Sequence, residues 1–102
     1  MTGDVKFCVI LTMRYMNKSL MQSCHDYIAS HMPPPPEGLI AMRSFHIAPD
    51  RGMSLCYFDT NENLNAAFSS MKEFQQSVAA KFEAKADAQK AITSSQSDFG
   101  DC

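Results

Sequence analysis

The side chains in this sequence that could support chemistry are a few polar residues set within apolar, alternating stretches. His46 is the best candidate for acid/base catalysis, because the unperturbed pKa of histidine lies nearest neutrality. Arg14 could bind an anionic group, and Ser44 could orient either a ligand or the histidine. Together with Thr12 and Cys56, these residues form the predicted ligand-binding set, with His46 as the candidate catalytic residue.

Each of these residues also has an ordinary structural explanation. His46 beside Cys56 could be a hydrogen-bonded interface histidine, and Ser44 could satisfy a neighbouring backbone group. Arg14, near the end of a strand, could simply reach solvent. Since the sequence contains no recognisable pair of nucleophile and base, it leaves open whether the protein is an enzyme.

The cysteines do not indicate a metal site. Cys8, Cys24, Cys56 and Cys102 are scattered, without the short spacing that zinc sites use. No basic leader or cleavage site indicates secretion, so we expect reduced thiols and a cytoplasmic location. We expect neither a metal nor a cofactor.

Length and charge restrict the class of protein. The 102 residues, 45% apolar and 20% charged, fit one globular domain. A formal net charge of −2 and the lack of a basic cluster argue against binding to nucleic acid or an anionic membrane. The longest apolar stretch, Phe7 to Met13, is about a third of the ~20 residues that a membrane-spanning helix needs.

The proline run Pro33–Pro36 divides the chain, because proline fixes φ and removes the backbone donor. A helix that starts after Asn17 or Ser19 must end before it. After Gly38, the segments Leu39 to Ala48 and Met53 to Asp59 alternate in the manner of a β-hairpin.

The hairpin register depends on the length of its loop. A three-residue loop of Asp50, Arg51 and Gly52, with Gly52 in the left-handed region, is typical of a hairpin with a bulge. This loop pairs His46 with Cys56 and Ser44 with Phe58, a register that matches apolar faces with apolar faces and mixed faces with mixed faces.

The remaining segments complete the predicted element order. Val5 to Tyr15 alternates as a strand, and Asp59 or Thr60 can cap a second helix. From residue 81 two interpretations stay open, because 81–87 alternates like a fourth strand while its alanine, glutamate and lysine favour a helix continuing to Ile92. Residues 1–92 form the predicted domain, and the polar residues 93–102 form a predicted disordered tail.

This order predicts an α+β fold of the ferredoxin-like type, β-α-β-β-α-(β), with an antiparallel sheet and helices on one face. Pro34 to Gly38, the strand ending at Phe45 and His46, and the segment Arg51 to Leu55 resemble a domain-of-unknown-function family. That family has a Pro-Pro-Pro-Glu-Gly segment, a strand ending in Trp-His and a Gly-Arg-Gly hairpin. The resemblance implies a dimeric α/β barrel, in which two sheets pack face to face, and therefore a homodimer.

The expected function follows from the two faces of the sheet. We expect the apolar faces, including Phe7, Val9, Leu55 and Tyr57, to pack on the helices. The mixed faces would then line a cavity between the two sheets of the dimer, where a small molecule could bind. The residues of these mixed faces are Cys8, Thr12, Arg14, Met42, Ser44, His46, Cys56 and Phe58. The alternative, implied by the same superfamily, is a cofactor-independent monooxygenase or isomerase acting on an aromatic or polyketide-like molecule.

Overall fold

The computed structural model describes residues 7–48 and 50–95. The elements follow the order β1 (Phe7–Arg14), α1 (Lys18–His31), β2 (Leu39–Ala48), β3 (Arg51–Phe58), α2 (Asn61–Lys81) and β4 (Lys85–Ile92). The four strands form one antiparallel sheet in the order β2-β3-β1-β4. The predicted ferredoxin-like α+β fold is confirmed.

The two helices begin at residues that accept hydrogen bonds from the first turn. The Asn17 side chain accepts from the backbone N–H of Leu20 at 2.8 Å, and Thr60 accepts from that of Asn63 at 3.0 Å. Helix α1 ends at His31, one residue before Met32 and the proline run. The sequence therefore located both starts and the first stop from local backbone chemistry.

A fourth strand forms, but it lies later than the alternating segment 81–87 suggested. Helix α2 ends at Lys81, Glu83 takes a left-handed φ of 55°, and β4 then pairs with β1 along its whole length. Pairing with a central strand outweighs the helical preference of alanine and lysine in this segment. The predicted tail lies outside the described residues from residue 96 onward and stays a prediction.

The predicted hairpin register is wrong by four residues. His46 lies opposite Gly52 and Ser44 opposite Ser54, whereas the prediction placed them opposite Cys56 and Phe58. Only two residues separate β2 from β3, and Gly52 belongs to β3 rather than to a left-handed turn position. The shorter loop places Ala48 opposite Arg51, which accounts for three of the four residues, and the irregularity between His46 and Ala48 adds the fourth. Irregularities of this kind leave little trace in a sequence.

The two faces of the sheet are not divided as the sequence suggested. Odd-numbered residues of β1 lie opposite even-numbered residues of β3, for example Val9 opposite Cys56. Leu55 and Tyr57 therefore share a face with Cys8 and Ile10, away from the helices. Both faces of β3 are apolar, so alternation alone could not decide which face is covered.

The helices cover one face only, which we call the helix face. Val9, Cys56 and Phe58 of this face are fully buried against Leu64 and Ala67 of α2. A second cluster joins Tyr15, Met21 and Cys24 to Val78 of α2. The opposite surface, which we call the open face, carries Ile10, Thr12 and Arg14 of β1 with their neighbours Arg51, Met53, Leu55 and Tyr57 of β3.

Candidate functional site

A cavity of about 700 Å³ lies between the helix face, α1, α2 and the proline run, and we call it the pocket. Its volume falls within the range of about 300–1,000 Å³ that is usual for small-molecule sites. The sheet contributes Leu11 and Met42, α2 contributes Met71 and Phe74, and most of the lining is apolar. Pro33–Pro36 form part of the wall, and their fixed φ angles make this wall stiff.

A stacked pair of histidines provides the most polar part of the lining. The rings of His25 on α1 and His46 on β2 lie 5.1 Å apart between centroids, with 23° between their planes. Burial lowers the pKa of His25, and the nearby charge of His46 lowers it further. His25 is therefore a neutral imidazole near pH 7 and can accept a proton or a hydrogen bond.

Tyr15 contacts His25 of this pair and the neighbouring Cys24. Its ring meets His25 edge-on at 6.2 Å, and its hydroxyl donates to the Cys24 sulfur at 3.4 Å. Burial, followed by the contact with Cys24, raises the pKa of Tyr15 well above its ordinary value. Tyr15 therefore keeps its proton and positions His25.

Gln75 of α2 lines the pocket and is 95% buried, since only 5% of its surface is exposed. Its Nε2 donates to the carbonyl oxygens of Thr12 and Asp87, both at 3.0 Å, which fixes the orientation of the amide. The Oε1 atom is buried and has no hydrogen-bond partner among the described residues. Because this atom is closed off from solvent, a ligand in the pocket reaches it only if neighbouring side chains move.

The structure brings together three of the five predicted binding residues and separates the other two. Ser44, His46 and Cys56 line the pocket on the helix face, whereas Thr12 and Arg14 lie on the open face. The expectation that Ser44, His46 and Cys56 face a second sheet is wrong. The pairing of β1 with β3 turns Cys56 toward the helices, and the pairing of β2 with β3 places Ser44 and His46 on the same face.

Two of these three residues have limited chemical roles. The Ser44 and Ser54 hydroxyls are hydrogen-bonded to each other at 2.9 Å. Burial, and next the neighbouring Cys8, raise the pKa of the Cys56 thiol to about 11. At neutral pH Cys56 is a thiol within the core rather than a thiolate nucleophile.

The sequence interpretation overlooked His25, Gln75 and the proline wall as parts of a site. Gln75 had a signal, because it is a polar residue within the apolar stripe of α2. His25 had none, since its approach to His46 depends on how α1 packs. In the described ranges 7–48 and 50–95, no group of three metal-ligating side chains occurs, and no helix is both long and apolar enough to cross a membrane.

Known proteins resemble this chain in fold, without a match in sequence family. No family model matches the chain, and no curated protein matches it. The structure is similar to that of a dimeric ferredoxin-like protein from an uncultured marine organism, with a TM-score of 0.72 and 12% identity over 98% of this chain and 97% of the other. A protein of unknown function from Nitrosomonas europaea gives a TM-score of 0.67 and 13% identity over 97% and 100% of the two chains.

The structure is also similar, at a lower TM-score, to that of an oxygenase. SnoaB, a cofactor-independent oxygenase from Streptomyces nogalater, gives a TM-score of 0.56 and 5% identity over 90% of this chain and 96% of its own. Identities this low carry the fold and not the activity. The narrower resemblance to a Pro-Pro-Pro-Glu-Gly family stays a prediction, and the structural likenesses show that the chain has the ferredoxin-like α+β fold.

Proposed function

We propose that this protein is a homodimer that binds a small, largely apolar molecule with at least one hydrogen-bond donor, in the pocket between its sheet and its helices. The observation that supports this most directly is the pocket itself, with its apolar walls and few polar groups. This form is usual for small-molecule sites. The location differs from the predicted cavity between two sheets, because His46 and Cys56 belong to the helix face.

The polar groups suggest which ligand the pocket accepts. Neutral His25 is an acceptor on the pocket lining, and His46 stacks against it. A ligand hydroxyl could donate to His25, while an apolar body would replace water along Met71 and Phe74. A hydroxylated bicyclic aromatic compound such as 1-naphthol combines both features.

The experiment blocks the pocket without touching its polar groups. Ala29 lies on the pocket lining at an exposed position of α1, so Ala29→Trp places an indole in the opening. Ala66→Trp is the matched control, since Ala66 is an exposed alanine of α2 outside the lining. We expect 1-naphthol to shift the amide NMR signals of His25, Met71 and Gln75 in the wild type and in Ala66→Trp, and not in Ala29→Trp. Equal responses from the two variants would contradict binding in the pocket.

The open face is the surface through which we propose that two copies associate. Ile10, Met53, Leu55 and Tyr57 form a contiguous half-buried apolar surface there, and Phe45 at its edge is 48% exposed. A small domain gains stability when a second copy covers such a surface. The similar structure from an uncultured marine organism is described as dimeric.

The second candidate is a cofactor-independent oxygenase, which the His25–His46 pair favours. A neutral His25 could remove an acidic C–H proton from an aromatic ketone, and the resulting carbanion could reduce O₂. For anthrone, one oxygen atom would form the new carbonyl, and the other would leave as water with the two hydrogens of the CH₂ group. Oxygen consumption with anthrone, lost in His25→Gln, would support this activity; a rate no higher than without protein would exclude anthrone as a substrate.

A further inference from the structure

Three cations lie side by side at one end of the open face, and we call them the basic row. Arg14 of β1 lies directly opposite Arg51 of β3 on one side and opposite Lys85 of β4 on the other. Directly opposed residues of an antiparallel sheet point to the same face, with Cβ atoms about 5 Å apart. The row therefore spans roughly 10 Å across three adjacent strands.

None of the three cations of the basic row is paired with an acidic side chain of the described residues. Arg14, Arg51 and Lys85 are exposed, and none of them forms an ion pair or a side-chain hydrogen bond with another described residue. Asp87 is the nearest acidic residue on this face of β4, two positions from Lys85. Its carboxylate accepts instead from Gln89, at 3.5 Å.

This arrangement is unfavourable unless something neutralises it. Like charges directly opposite each other destabilise a sheet, and here the central arginine has such a neighbour on both sides. The chain as a whole is acidic, with a formal net charge of −2, so the row is a local concentration of positive charge. Nothing in the packing of the described residues requires three cations at these positions.

We propose that the basic row binds a compact polyvalent oxyanion, such as the phosphate groups of a small molecule. The two guanidinium groups offer planar pairs of donors that match phosphate oxygens, and Lys85 adds a point charge. A row of about 10 Å suits one compact anion, whereas nucleic acid requires a longer basic stripe. The site is separate from the pocket, because Arg14 lies on the opposite face of the sheet from Val9 and Cys56.

The test uses inorganic pyrophosphate and two arginine variants. Arg14→Gln removes the centre of the row, while Arg43→Gln removes an exposed arginine of β2 on the same face but outside the row. In low-salt buffer, calorimetric titration should show that Arg14→Gln weakens pyrophosphate binding by about tenfold, the effect of losing a charge-assisted pair of hydrogen bonds. Arg43→Gln should change the affinity less than about twofold.

A second readout does not depend on the ligand. Without pyrophosphate, we expect Arg14→Gln to melt at a higher temperature than the wild type, because it relieves repulsion on both sides. Arg43→Gln should not share this gain. Lys85→Gln should reproduce the weaker binding of Arg14→Gln.

Two outcomes would overturn the proposal. One is an equal loss of affinity in Arg14→Gln and Arg43→Gln, which would indicate general attraction to the surface. The other is a melting temperature that rises no more with pyrophosphate than with sodium chloride of the same ionic strength. The 1-naphthol experiment is independent of both, because it reports on the other face of the sheet.

Discussion

At the scale of single residues, the thiols are controlled by burial. Cys24 and Cys56 have no exposed surface and Cys8 has only 7%, and burial is the main cause that raises the pKa of all three. In the structure, all three are free thiols and small buried side chains. The five predicted binding residues lie on two different faces of the sheet, because strand register, and not a local pattern, decides which face a side chain occupies.

We predict that Cys8, Cys24 and Cys56 resist alkylation by iodoacetamide at pH 8 in the folded protein and react once urea unfolds it. Burial both blocks the reagent and keeps the thiols protonated. Peptide mass spectrometry assigns each site separately. Labelling of Cys56 at the rate of a free thiol in native protein would show that this prediction is wrong.

The same residues predict how stability depends on pH. The folded state raises the pKa of Cys56 from 9.0 to about 11, so folding favours the protonated thiol. The contribution is therefore complete below about pH 9 and is lost as the pH rises toward 11. Urea denaturation at a series of pH values should show this fall, with a smaller slope in Cys56→Ala; an unchanged slope would exclude Cys56 as a cause.

At the scale of elements, the segment from Pro33 to Gly38 connects a helix stop to a required glycine. Gly38 has a φ of +85°, and a Cβ built there would lie 2.5 Å from side-chain atoms of Asp59 and Asn63. Its carbonyl oxygen also accepts from the backbone N–H of Asp59, at 3.0 Å. The start of β2 is thus joined to the residues just before and within the first turn of α2.

We predict that Gly38→Ala lowers the free energy of unfolding by about 2 kcal/mol or more, since a side chain meets both a left-handed φ and two close neighbours. Gly52→Ala is the control, because its Cβ would meet only the Phe45 carbonyl oxygen at an ordinary 3.7 Å and its φ is not left-handed. Thermal unfolding measures both. Comparable losses in the two variants would contradict the special role of Gly38.

At the scale of the whole molecule, the sheet has one face covered by helices and one apolar face that no helix of the described residues covers. The helix face encloses the pocket, and the open face carries both the proposed dimer surface and, at its end, the basic row. The proposed ligand site and the proposed dimer surface therefore lie on opposite faces of the sheet. A change on one should leave the other intact unless it unfolds the domain.

We predict that Leu55→Lys makes the protein monomeric, because it places a charge in the middle of the apolar open face. Ile92→Lys should remain a dimer, since Ile92 lies opposite Phe7 on the helix face and is already 68% exposed. Analytical ultracentrifugation gives the mass of each. A monomeric wild type at micromolar concentration would remove the basis for the homodimer.

The sequence alone determined the features that depend on neighbouring residues. The proline run predicted the end of α1, and the alternation of Val5 to Tyr15 predicted β1. Each helix start was narrowed to two candidate caps, of which the structure uses Asn17 and Thr60. Caps, φ restrictions and side-chain alternation all act over a few positions. The order of these helices and strands along the chain predicted the ferredoxin-like fold.

Only the tertiary structure decided how distant segments meet. The pairing of β1 with β3 placed Cys56 under the helices, and the pairing of β2 with β3 placed His46 on the same face. The packing of α1 brought His25 to His46. The pairing of β1 with β4 aligned Lys85 with Arg14 and turned an ambiguous segment into a strand. Both faces of β3 are apolar and the paired residues lie far apart in sequence, so a local pattern holds no information about which registers the folded chain adopts.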